Sequence, residues 1–102
     1  MPAPSLPTST EELHVLAFDV ANDRRRYRLV RLLERYGQRV QESVFEAWLT
    51  PPQRSALLGH ARALLHQTQD RLVCYVLTAA ESERLRTLGT STRTLNPSFF
   101  VL

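Results

Sequence analysis

The 102-residue sequence contains no lysine, one cysteine and three glycines, and no apolar run in it is long enough to span a membrane. Because Cys74 is alone, no internal disulfide can form, and we expect a reducing, cytoplasmic compartment. The start of the chain lacks the basic and apolar regions of a secretory signal. The few glycines form no phosphate-cradling loop or dinucleotide-binding fingerprint. These absences exclude membrane proteins and enzymes with nucleotide cofactors.

All 13 basic residues are arginine, and the formal net charge is +3. A codon bias or a heat-adapted source would explain this usage without any function. The guanidinium group, however, binds a phosphate through two parallel hydrogen bonds, whereas the lysine ammonium acts as a point charge. Both explanations stay open, and the distribution of the arginines is more informative than their number.

Apolar strands and amphipathic helices alternate along the chain after a start that is rich in Pro, Ser and Thr. The predicted elements are a strand at 13–20, a helix capped by Asn22 or Asp23 and stopped by Gly37, extended structure at 39–49, a helix from a Thr50 capping box to near His66, a strand at 72–77 and a short helix at 80–88. A bend or turn near 41–43 leaves open whether 39–49 forms one strand or two. The strand at 72–77 is apolar on both faces, which is typical of a central strand.

This order of elements predicts an α+β fold of the ferredoxin-like kind, with an antiparallel sheet and two helices on one face. Two strands within 39–49 would make it a βαββαβ sandwich. We expect a flexible extension at 1–12, the folded domain at 13–89, and a tail at 90–102 with a short C-terminal strand that adds to a sheet edge. The sheet face without helices needs a cover. A second copy of the chain is the simplest one, so we expect a homodimer.

Asp19 stands where the first strand ends and a basic helix begins. A carboxylate there is costly unless it is paired, hydrogen-bonded or bound to a cation. An ion pair with Arg24 or Arg26, or a cap on the helix, would satisfy it structurally. The functional alternative is a Mg²⁺ ligand, and a two-fold axis beside Asp19 would supply the same acid twice. Such a metal could activate water and stabilise charge on a scissile phosphate.

Residues 22–40 carry seven arginines against two acids, which gives this segment a local charge of +5. Four of the arginines share one face of the predicted helix: Arg24, Arg28, Arg31 and Arg35. Most stripes of this kind are solvated surface with some ion pairing, here to Glu34. The functional alternative is a surface that binds backbone phosphates without reading the bases.

Three aromatic residues near the stripe could stack on a base, namely Phe18, Tyr27 and Phe45. Core burial is the commoner fate of such side chains, and we expect it for two of the three. The histidines show no ligand spacing with cysteine or acids, so a zinc site is not predicted. Cys74 lies within an apolar strand, where a thiol tends to be inert.

Several motifs, in this order and spacing, resemble a known family between about residues 14 and 88. They are Phe18-Asp19-Val20, Asn22-Asp23-Arg24-Arg25-Arg26, Leu32-Leu33, Tyr36-Gly37 and Arg39-Val40-Gln41-Glu42-Ser43-Val44-Phe45-Glu46. The chain is similar in these motifs to the CRISPR-associated protein two family. It departs from the usual pattern in having Phe18 where tyrosine is common, Glu42 where a neutral or aromatic residue is frequent, and an extra N-terminal segment.

The resemblance implies a ferredoxin-like homodimer whose two copies of Asp19 face each other across the two-fold axis. It also implies a Mg²⁺-dependent endonuclease of RNA or DNA, with Asp19 as the metal ligand. The catalytic residues carried over from the family are Asp19, Arg26, Arg28 and Phe45. The nucleic-acid-binding residues expected from the family and the stripe are Arg24, Arg25, Arg26, Arg28, Arg31 and Arg39.

Three functions follow as hypotheses. The first is an endonuclease of CRISPR spacer acquisition, in the manner of an endoribonuclease. The second is a non-catalytic dimeric adaptor that holds duplex DNA for a CRISPR integrase. The third is a ribonuclease toxin or a small-ligand regulatory domain, because both reuse the ferredoxin-like architecture.

Overall fold

The computed structural model describes residues 11–84. Its elements are β1 (Glu12–Asp19), α1 (Asp23–Glu34), β2 (Gln38–Gln41), β3 (Val44–Leu49), α2 (Pro51–Leu64), β4 (Arg71–Leu77) and α3 (Ala79–Ser82). The four strands form one antiparallel sheet in the order β2-β3-β1-β4. This order and the two long helices confirm the predicted ferredoxin-like fold. The expected extension and C-terminal strand fall outside the described residues.

Strand β1 lies in the interior of the described sheet, and its successive side chains point to opposite faces of that sheet. Leu16 and Phe18 point toward the helices, where they join a core built from β1, β3, α1 and α2. The largest fully buried members of this core are Leu16, Leu29, Leu33, Phe45, Leu49 and Leu57. Alternation directs Ala17 and Asp19 to the opposite face, which neither α1 nor α2 covers.

Helix α1 begins at the first of the two predicted caps. The Asn22 side chain accepts a hydrogen bond from the Arg25 backbone N–H at 2.9 Å. The helix ends at Glu34, and the Gly37 N–H then donates to the Leu33 carbonyl at 3.0 Å. A Cβ on Gly37 would lie 2.1 Å from the Glu46 carbonyl oxygen. Glycine is therefore required here because β3 passes so close.

The segment 39–49 forms two strands, which settles the alternative that the sequence left open. A turn at Glu42 and Ser43 joins β2 to β3, and the register shifts within β2.

The capping box that starts α2 is confirmed. The Gln53 N–H donates to Thr50 Oγ1 at 3.4 Å, and Gln53 Oε1 accepts from the Thr50 N–H at 2.8 Å. Helix α2 ends at Leu64, two residues before the predicted end.

The prediction of a central strand at 72–77 was wrong for the part of the chain that the structure describes, where β4 is the outermost strand. Tyr75 and Val76 are 56% and 39% exposed. An apolar run indicates a strand but not its neighbours, and here only β1 pairs with it among the described strands.

None of the helices within residues 11–84 is long and apolar enough to cross a membrane.

Candidate nucleic-acid and metal site

Asp19 is the last residue of β1, and its side chain is exposed. The helix cap is Asn22, and Arg26 pairs with Asp23, so neither structural explanation for Asp19 holds. None of the ion pairs found within residues 11–84 includes Asp19. Its partner across the ladder is Arg71, the first residue of β4. Directly opposed residues of an antiparallel pair share one face of the sheet, so Arg71 stands beside Asp19.

The donor chemistry of Asp19 fits a hard cation such as Mg²⁺, which prefers oxygen ligands and keeps several waters. The described residues bring no three of His, Cys, Asp and Glu together as a metal-binding group. A second copy related by a two-fold axis beside Asp19 would supply the same carboxylate again.

The turn between β2 and β3 packs against the end of β1. The Phe18 N–H donates to the Ser43 carbonyl at 3.0 Å. Arg39 closes the turn, because its Nε and Nη2 donate to the Glu42 carbonyl at 2.9 and 2.6 Å. Arg39, which was predicted to bind nucleic acid, thus uses two of its donors to hold the chain beside Asp19.

Phe18 and Phe45 form a buried pair beneath the site. Their ring centroids are 6.3 Å apart with an interplanar angle of 37°, and their exposures are 6% and 0%. Tyr27 is 64% exposed, so the expectation that two of the three aromatic residues are buried is confirmed. The assignment of Phe45 as a catalytic residue must be corrected, because a fully buried ring cannot contact a substrate. Phe45 supports Phe18, the residue before Asp19.

Arg25, which was predicted to bind nucleic acid, is held in an ion pair within the chain, and its side chain is 23% exposed. Its Nε and Nη2 donate to the two oxygens of Asp70 at 2.7 and 3.2 Å. The Asp70 carboxylate has no exposed surface and also accepts from the N–H groups of Ala21 and His66. The Arg25 hydrogen bond, together with these two N–H groups, lowers the pKa of Asp70 strongly.

Asp70 and Arg71 were not identified from the sequence as parts of this region. Asp70 joins the β1–α1 connection to the end of α2, because Ala21 and His66 donate to the same carboxylate. The signal that could have found it is an acid placed directly before an apolar strand. Arg71 could be found only once the pairing of β4 with β1 was known.

The arginines of α1 divide into two groups. Near the start of the helix, Arg24 is exposed, and Arg26 binds Asp23 at 2.6 Å and the Val20 carbonyl at 2.9 Å. Arg28 and Arg31 instead line a groove between α1 and α2, together with Arg35. That groove belongs to the helix layer, whereas Asp19 faces the other side of the sheet. The stripe predicted from the sequence is therefore not one site with the acid.

Comparisons with known proteins bear on this geometry. The family model for "CRISPR associated protein Cas2" matches residues 12–85. A curated relative from Thermus thermophilus, named CRISPR-associated endoribonuclease Cas2, is 48% identical over 63 residues, which cover 62% of this chain and 67% of the relative.

Two solved structures are also similar. A hypothetical protein from Thermus thermophilus has a TM-score of 0.75 and 36% identity, with 81% of this chain and 96% of that protein covered. A chain from a partial Cas6-RT-Cas1–Cas2 complex has a TM-score of 0.62 and 29% identity, with 89% and 99% covered. The family match spans well over half of the sequence and includes every motif on which the resemblance was based. The chain belongs to the CRISPR-associated protein Cas2 family.

Proposed function

We propose that the chain is an endonuclease of CRISPR spacer acquisition that acts as a homodimer on the phosphodiester backbone of RNA or DNA. The observation that carries the proposal is the position of Asp19. It is an exposed carboxylate at the end of a buried strand, outside the ion pairs of residues 11–84. The endoribonuclease name of the Thermus relative supports the same activity. Cytoplasmic location remains part of the proposal.

The sheet face opposite the helices is the surface for the second copy. By alternation it carries Ala17 of β1, Val44 and Trp48 of β3, and Val73 and Tyr75 of β4. All five are half-buried or exposed within a single chain, whereas Leu13, Val15 and Glu46 on the same face are already buried. Covering this largely apolar face with its own copy would remove that surface from water. Because Asp19 lies on the same face, a two-fold axis near its end of β1 would bring two carboxylates together.

The residues around Asp19 have distinct roles in this proposal. Mg²⁺, held by Asp19 of both copies, would activate a water molecule and stabilise charge on the phosphate. Arg24, Arg26 and Arg71 would attract and orient the phosphate, without selecting a base. Arg39 acts by holding the β2–β3 turn against β1, and Phe45 acts through Phe18. Arg28 and Arg31 line the groove between α1 and α2, and the proposed cleavage at Asp19 does not use them.

Cleavage by the purified full chain tests the proposal. Labelled RNA and duplex DNA are incubated with Mg²⁺ or with EDTA, using wild type, Asp19→Asn and Asp23→Asn. Asp23 is a suitable control because it is an exposed acid near Asp19. We expect Mg²⁺-dependent cleavage in wild type and Asp23→Asn, and at least a hundredfold loss in Asp19→Asn, in the range of a lost catalytic group. Equal cleavage by the two variants would contradict the role of Asp19.

The second candidate is an adaptor that binds duplex DNA for a CRISPR integrase without cutting it. One observation favours it: a similar chain belongs to a partial Cas6-RT-Cas1–Cas2 complex. In that case duplex DNA binds equally with and without Mg²⁺, and no variant changes cleavage. Under either candidate, affinity falls steeply with rising salt because bound phosphates release counterions. Salt-independent binding would contradict both.

A further inference from the structure

The helix layer contains a groove with a chemistry different from that of the Asp19 site. It is an open groove between the exposed sides of α1 and α2, with a volume of about 820 Å³. Leu32, Ala63 and Leu64 contribute its apolar lining, and Tyr27 contributes an exposed aromatic ring. A volume of this size is within the range of sites that bind other molecules.

The charges of the groove are uneven. Three arginines line it (Arg28, Arg31 and Arg35), whereas Glu34 is the one acid among the lining residues. Glu34 lies 4.0 Å from Arg31, and both side chains are about half exposed or more, so this pair neutralises little charge. Arg28 and Arg35 take part in none of the ion pairs found between residues 11 and 84. The groove therefore favours an anionic ligand.

We propose that this groove binds an acidic amphipathic helix of a partner protein. Carboxylates on that helix would pair with Arg28, Arg31 and Arg35, and its apolar side chains would cover Leu64 and Tyr27. Arg35, the C-cap of α1, lies seven positions after Arg28, a rise of about 10 Å that matches two turns of a docked helix. Tyrosine and arginine are also the residues that most often dominate binding energy at protein interfaces.

The apolar lining distinguishes this ligand from a nucleic acid. Phosphates would satisfy the arginines but would bury little of the apolar surface, whereas an amphipathic helix matches both parts of the groove. The groove is also on the opposite side of the sheet from the face assigned to the second copy. A partner bound here would therefore leave the Asp19 site and the dimer surface accessible.

Fluorescence anisotropy of labelled peptides tests this inference on the full chain. The probes are helical peptides of about fourteen residues with Glu and Leu on adjacent stripes, in several registers, together with scrambled and Lys-for-Glu versions. A single-stranded oligonucleotide of similar length is the competing probe. We expect saturable binding only for acidic amphipathic peptides, and weaker binding at higher salt.

Variants locate the binding site. Tyr27→Ala and Arg35→Glu should each weaken peptide binding about tenfold or more, the effect of losing an anchor residue. Arg62→Glu is the matched control, because Arg62 is exposed near the end of α2 and outside the groove, and its change should alter binding less than about twofold. Circular dichroism checks that each variant is folded.

Three results would overturn the inference: no saturable binding by any acidic peptide, equal effects of Arg35→Glu and Arg62→Glu, or a loss confined to oligonucleotide binding. The last result would identify the groove as a nucleic-acid site. None of these measurements depends on cleavage, so the groove and the proposed nuclease activity can fail independently.

Discussion

The replacement of Gly37 by alanine tests the closeness of β3 to the end of α1. The new Cβ would meet the Glu46 carbonyl oxygen at 2.1 Å, the Ala47 Cβ at 2.7 Å and the Ala47 Cα at 2.9 Å. Two of these three atoms belong to the backbone, so relief requires β3 to shift by more than an ångström to reach ordinary contact. Overpacking of this kind costs about 1–3 kcal/mol. For a domain of this size, that corresponds to a fall in Tm of roughly 4–24 °C.

Gly59→Ala is the matched control, since a Cβ there meets nothing within 4 Å. Gly59 lies inside α2 and is exposed, so alanine should stabilise the helix by about 0.5–1 kcal/mol. Both variants are compared with wild type by thermal denaturation at one protein concentration, because a dimer makes Tm depend on concentration. A Gly37→Ala protein as stable as Gly59→Ala would refute the close approach of β3 and the register built on it.

Further predictions concern the core and the pH dependence of stability. Phe45→Ala should lower the free energy of unfolding, measured with denaturant, by about 3–5 kcal/mol. Phe45→Leu should retain cleavage. A folded Phe45→Leu chain without activity would show that the ring has a direct catalytic role. The pKa of Asp70 is lowered in the folded chain, so its contribution is complete above its ordinary pKa and is lost as pH falls below that value. Asp70→Asn should therefore be less stable near neutral pH and lose less Tm on acidification than Asp23→Asn; parallel curves would contradict the Asp70 network. Burial lowers the pKa of His14 in the folded chain. As the pH drops below about 6.5, His14 is therefore protonated in the unfolded chain before it is protonated in the folded one, and the free energy of unfolding falls. His14→Leu should reduce that slope between about pH 7 and pH 5, and an unchanged slope would be evidence against a neutral buried imidazole.

Local signals in the sequence predicted the elements well. The Thr50–Gln53 box and the stop near Gly37 depend on residues a few positions apart, and these contacts are present in the structure. The position of Asp19 at the end of a buried strand was likewise visible, because an apolar run of residues leads directly into this acid. These features depend on interactions between residues that are only a few positions apart, so sequence patterns predict them.

The features that the sequence did not reveal depend on contacts between distant parts of the chain. Arg25 looks like any other member of the basic run, but its partner Asp70 is 45 residues away. The edge position of β4 depends on which strands pair, and the burial of Phe45 depends on how β3 meets the helices. The division of the α1 arginines into two groups also follows from the packing of α2 on α1. No local pattern contains this information.

In the proposed dimer, Asp19 of two copies shares one metal ion. Isothermal titration of the purified protein with Mg²⁺ measures this stoichiometry, at low salt and with Asp23→Asn and Asp19→Asn in parallel. We expect one ion for every two chains in wild type and Asp23→Asn, and no binding in Asp19→Asn. One ion for each chain, or binding that survives in Asp19→Asn, would contradict it.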